Sequence, residues 1–103
     1  MNQVIFNEIQ ALKRQLLPND RMILFGSQAR GDAREDSDWD LLVLLDEEIS
    51  NFHENYSKFA YPFAEIGFKY ETHISAKIFA KKEWEAKPSE LKYNIEIEGV
   101  EIA

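Results

Sequence analysis

Apolar and polar positions divide the chain into six elements. From Asn2 to Leu17, Ile5, Ile9, Leu12 and Leu16 recur at gaps of four and three, which sets them on one face of a helix. Pro18-Asn19-Asp20 breaks that helix. Arg21 to Phe25 is a short apolar run of strand length. Trp39 to Leu45 is a second, apolar at almost every position, as in a strand covered on both faces of its sheet. A polar loop, Gly26 to Asp38, lies between them. Asn51 to Ile66 predicts another helix: Phe52, Tyr56, Phe59, Phe63 and Ile66 form a core-facing stripe, and Asn51 with Glu54 resembles a capping box. Pro62 is expected to kink or shorten it. Glu71 to Phe79 reads as a third strand. A last helix is expected from about Pro88 to Glu98, with Gly99 just past its end. The alternating tail from Glu96 to Ile102 is expected to pack on the sheet or on a partner. The order helix, strand, strand, helix, strand, helix gives a small mixed α/β domain, a mixed sheet flanked by helices. It occupies residues 1–103 as one unit.

Length and composition agree. A chain of 103 residues, 45% hydrophobic and 30% charged, without repeats or linkers, is sized for one core. It carries seven Phe, four Tyr and two Trp. That supply exceeds what a small core uses, and surplus exposed aromatics mark interfaces. Trp84, Tyr93 and Tyr61 are the residues expected at the surface. There is no cysteine, which excludes disulfides and thiolate metal sites. No apolar run approaches the roughly 20 residues that span a bilayer. The start, Met1-Asn2-Gln3-Val4, lacks the pattern of a signal peptide. The expected location is the cytoplasm. A net charge of −7 argues against direct DNA or RNA binding. It leaves room for a nucleotide enzyme, because a divalent cation offsets local carboxylate charge.

The chemistry concentrates in the loop. Gly26 ends the first strand, where the backbone turns tightly and admits a ligand closely. Ser27 then opens a short helix with free N–H groups, an arrangement that attracts anions. Arg30, about one turn on, brings a planar fork to the same anion. Asp38 and Asp40, two apart at the head of an apolar strand, present both carboxylates on one face. Such a pair repels itself unless a cation sits between. Mg²⁺ suits a few carboxylates plus substrate phosphate oxygens. Anion site and cation site together describe a metal–triphosphate site. Asp32, Arg34, Glu35 and Asp36 read as solvated loop.

Gly26-Ser27-Gln28-Ala29-Arg30-Gly31 followed by Ser37-Asp38-Trp39-Asp40-Leu41 resembles the signature of the DNA polymerase beta-like nucleotidyltransferases, and most of all their minimal branch, the MNT proteins. The signature covers about a sixth of the chain. The resemblance implies that Gly26 and Ser27 contact a triphosphate and that Asp38 and Asp40 hold Mg²⁺. Arg30 and Ser37 fall on the nucleotide side. It implies transfer of a nucleoside monophosphate, AMP foremost, from a triphosphate such as ATP to an acceptor. It also implies a helical HEPN-type partner in a toxin–antitoxin pair. Members of the family usually carry a third carboxylate on a later strand. Here that strand holds no Asp, so Glu71 is the candidate displaced acid and His73 the candidate base, its ordinary pKa lying near physiological pH. The competing reading is a degenerate nucleotide-binding module that neutralises a helical partner by contact.

Overall fold

The computed structural model describes the whole chain except residues 35–36, 48–50 and 87–88. Helix α1, Gln3–Leu16, starts where the Asn2 side chain accepts hydrogen bonds from the amides of Val4 and Ile5 at 3.0 and 3.2 Å. Strand β1 is Arg21–Phe25, the short helix α2 is Ser27–Arg30, and strand β2 is Trp39–Leu45. Helices α3, Phe52–Phe59, and α4, Tyr61–Lys69, come next. Then follow β3, Ile74–Ala80, α5, Lys81–Ala86, α6, Glu90–Glu98, and the two-residue β4, Val100–Glu101.

The sheet runs β3-β2-β1-β4. β2 is antiparallel to β1, with Phe25 opposite Asp40, and parallel to β3, with Asp40 opposite Ser75. Residues alternate between two cores. Met22, Leu24, Trp39, Leu41 and Val43 pack with Ile5 and Ile9 of α1 and Phe63 of α4. Ile23, Leu42 and Leu44 pack on the opposite face with Trp84 of α5 and Ile95 of α6. Both faces of β2 are thus covered along most of its length, which is why its sequence is apolar throughout. Only at Asp38 and Asp40 does that face turn polar.

Four expectations need correction. The long helix over 51–66 is two helices broken at Ala60, because Pro62 enters the first turn of α4, where a missing N–H is tolerated. The break ends the shared stripe: Phe63 is buried, whereas Phe52 and Tyr56 stand 65% and 42% exposed. The third strand begins at Ile74, because Glu71 adopts φ 54° in the preceding turn. Trp84 is buried against Phe79, ring centroids 5.2 Å apart, and is no surface aromatic. Tyr61 and Tyr93 are exposed as expected. The tail joins the sheet: β4 pairs with β1, and the Ile102 amide donates to the Met22 carbonyl at 2.9 Å. The last helix is capped by Ser89, whose Oγ accepts from the Lys92 amide at 3.0 Å; its expected start at Pro88 lies outside the described residues. Among the described residues, no helix is long and apolar enough to cross a membrane.

Candidate functional site

The antiparallel pairing of β1 and β2 brings the glycine turn to the acidic pair. Phe25 lies opposite Asp40, so Gly26 passes directly over that carboxylate. Gly26 has φ 77° and ψ −159°, a region that residues other than glycine scarcely enter. A Cβ placed there would lie 2.5 Å from Asp40 Oδ2. Conformation and space therefore demand glycine independently. The Gly26 carbonyl accepts from the amides of Ala29 and Arg30, each at 3.1 Å, and this starts α2. The first amides of α2 are left without an intrahelical acceptor, with the Ser27 side chain beside them. Gly31, at φ 83°, closes the turn.

Asp38 is exposed and Asp40 half-buried. Burial holds the Asp40 carboxyl above its ordinary pKa, and the neighbouring Asp38 charge adds to the effect. Lys77, His73 and Arg30 oppose it. His73 Nδ1 stands 3.5 Å from Asp38 Oδ2, at the head of β3. Ser75 is opposite Asp40 across the ladder, and Lys77 follows on the same face.

The remaining expected residues are placed less simply. Arg30 pairs with Asp32 and with Glu98 of α6, each at 3.4 Å, and these bonds raise its pKa. Its guanidinium thus ties α2 to α6. Ser37 Oγ accepts from the Arg34 amide at 2.8 Å and shapes the loop before Asp38. Glu71 is exposed and lines a separate cavity of about 790 Å³ with Asn2, Gln28, Arg34 and Trp39. That cavity does not include Asp38 or Asp40. Among the described residues, no three His, Asp or Glu side chains gather as a metal cluster. Glu35 and Asp36 lie outside the described residues. One residue escaped sequence reasoning: Gln28 is buried, and its Nε2 donates to the Ser37 carbonyl at 3.2 Å, tying α2 to the approach of β2. A lone polar residue in a polar loop carries no periodic signal of that role.

Two carboxylates suit a cation that arrives already bound to phosphate oxygens better than one held by protein alone. The space that a Cβ at Gly26 would fill lies against Asp40 Oδ2 and keeps that oxygen accessible. The residues present fit a metal–triphosphate.

A family model for the nucleotidyltransferase domain matches residues 8–101. The chain belongs to this family. Its members are transferases of the nucleotidyl type, the class expected from the loop. The nucleotidyltransferase domain is 42% identical over 62 residues to a Methanocaldococcus jannaschii protein described as a "putative protein adenylyltransferase". That match covers 60% of this chain and spans 61% of the relative's length. Two solved structures share its fold, each at 19% identity over the whole of this chain. One is a toxin–antitoxin with AMP-PNP, at TM-score 0.67 over 73% of the neighbour's chain. The other is a mutant of the toxin–antitoxin MntA-HpeT, at TM-score 0.63 over 72%.

Proposed function

We propose that this domain binds a Mg²⁺–nucleoside triphosphate at Gly26, Ser27, Asp38 and Asp40 and transfers a nucleoside monophosphate, AMP, to a hydroxyl of an acceptor protein. The observation that carries this is the contact between the Gly26 turn and Asp40: it sets the anion-binding start of α2 beside a carboxylate pair. The amides of α2 and the Ser27 hydroxyl hold phosphate oxygens. Arg30 reaches them on leaving Glu98, and the loop closed by Ser37 fixes the approach to Asp38. Asp38 and Asp40 would hold the metal, which when bound supplies charge neutralisation at the phosphates. The acceptor oxygen attacks the α-phosphorus, its new P–O bond forming as the bond to pyrophosphate breaks. Positioning and electrostatics supply most of the acceleration in such transfers. His73, whose Nδ1 lies 3.5 Å from Asp38 Oδ2, is the proposed recipient of the acceptor's proton, with Glu71 the second choice.

AMP as the transferred group and protein as the acceptor are supported by the description of the archaeal relative and by the AMP-PNP in a neighbour. The toxin–antitoxin neighbours support a partner protein, for which a helical HEPN-type toxin is the proposed identity. Incubation with each labelled nucleoside triphosphate, Mg²⁺ and host lysate tests the reading. Label from ATP should appear on protein, and Asp38→Asn/Asp40→Asn should abolish it. A second reading is favoured by Ser75, rather than a carboxylate, facing Asp40: the domain binds nucleotide without turnover and neutralises its partner by contact. Intact Mg²⁺–ATP binding with no labelled product would select that reading.

A further inference from the structure

Helix α6 has an unusual apolar pattern. Leu91, Tyr93, Ile95 and Ile97 fall at every second residue, a spacing that in a helix sends successive side chains to opposite sides. Ile95 goes inward and is buried against the sheet. Tyr93 and Ile97, four residues apart, share the outer face and are each 64% exposed. Val100, just beyond on β4, is 37% exposed. Helical spacing places Glu90 and Glu96 on either side of the Tyr93–Ile97 pair. Among the described residues neither makes an ion pair. The one lysine of α6, Lys92, is turned away, its Nζ donating to the Glu85 carbonyl at 3.0 Å. Arg21 shares a cavity with Lys92 and Glu96, but it is paired with Glu101. With both cations engaged, the outer face of α6 is apolar at its centre and acidic at its rim.

We infer that this face docks a protein surface of complementary design, an apolar patch rimmed by lysine and arginine. Charge decides between occupants. A second copy of this chain, meeting it through a two-fold contact, would bring one acidic rim against another with no cation to offset it. Nucleic acid and anionic lipid carry the same sign and are repelled. A basic partner gains attraction at the rim and buries Tyr93 and Ile97 at the centre, the arrangement of an interface hot spot. The other exposed aromatics, Phe52 with Tyr56 and Tyr61 with Phe68, lie on helices that also carry Glu54, Lys58, Glu65 and Lys69. That mixture of signs selects no occupant.

The location ties the surface to the site. Leu91, Asn94 and Glu98 of the same helix line a cavity of about 300 Å³ with Gly26 and Arg30. A protein held on the outer face of α6 stands beside the mouth of that cavity, where its own side chains are within reach of the glycine turn. The inference deepens the partner half of the proposed function and does not depend on turnover.

The test uses fluorescence anisotropy on the metal-free, nucleotide-free protein. The probes are two labelled amphipathic helical peptides, one of leucine and lysine, one of leucine and glutamate. The lysine peptide should bind, and binding should weaken by about tenfold or more in Tyr93→Ser/Ile97→Ser. It should weaken similarly in Glu90→Lys/Glu96→Lys and in high salt. Phe52→Ser/Phe68→Ser should bind as the wild type does, and circular dichroism should show all variants folded. Absence of binding, equal binding of the glutamate peptide, or binding untouched at Tyr93 and Ile97 overturns the inference. So does a dimer in solution that Tyr93→Ser/Ile97→Ser dissolves, which would make the occupant a second copy. Calorimetry with Mg²⁺–ATP reports separately on the nucleotide site, so failure of either reading is visible without the other.

Discussion

Gly26 and Asp40 are best understood as one unit. The glycine takes a backbone conformation that costs other residues roughly 1–3 kcal/mol, and a side chain there would strike the Asp40 carboxylate. Gly26→Ala should therefore lower stability by about that amount and also weaken Mg²⁺–ATP binding, by about tenfold or more, because the displaced carboxylate no longer faces the turn. Thermal melts and calorimetry on one preparation would separate the two effects. Asp40 carries its own penalty. Its folded-state pKa lies above the ordinary carboxylate value, chiefly through burial and then through Asp38. The folded protein thus binds this proton more tightly than the unfolded chain. The resulting stability is complete below the unfolded value of about 3.9 and is lost as pH rises through the higher folded value. Asp40→Asn should flatten this dependence in metal-free melts and leave the neutral-pH protein as stable as the wild type or more so. A loss above about 2 kcal/mol would instead mark Asp40 as part of a structural network. Mg²⁺–ATP affinity should fall on acidification earlier than an ordinary carboxylate would dictate.

Elements were legible where one physical signal ruled them. The stripe of Ile5 and Ile9, the apolar run of β2 and the Ser27 helix start all follow from local pattern, and the site's order along the chain follows with them. The misses were decisions made by distant contacts. Trp84 sits in a charged stretch, Lys81–Ala86, whose helix exists to lay one indole on Phe79 and the sheet. Nothing local distinguishes it from a surface tryptophan. Trp84→Ala should cost about 3–5 kcal/mol, the usual scale for a buried large aromatic, measured by denaturant unfolding. A cost below about 1 kcal/mol would mean that α5 is only loosely applied. The split at Ala60 was half legible: Pro62 announced a disturbance, but only the tertiary path shows that it frees Phe52 and Tyr56 from the core. Of the candidate site, the turn at Gly26 and the placing of Asp38 and Asp40 at the head of β2 could be read from motif and alternation. The Arg30–Glu98 and Gln28–Ser37 bonds could not, since each partner was chosen by the fold across the chain or the loop.

At the scale of the molecule, two cores share one sheet, and the candidate site opens where the second core runs out. Leu42 and Leu44 are covered by α5 and α6, whereas Asp40, next along the same face, is only half-covered. The tail completes this frame. Ile102 is buried in the larger core, and its amide bonds to Met22 of β1. Ile102→Ala should cost about 2–5 kcal/mol in a cooperative melt. If the site depends on this frame, nucleotide affinity should fall with β1 order under mild destabilisation, which hydrogen exchange at Leu24 and Phe25 would report. The pairing of β4 with β1 also has a consequence for synthesis. A ribosome delivers β1 and its glycine turn early, together with the antiparallel partner β2, but β1 keeps one bare edge until residues 100–102 emerge. For the whole interval the nascent domain carries an open strand beside its glycine turn, a ready template for wrong pairing. Closing it spans nearly the full sequence, so that step should come late and slowly.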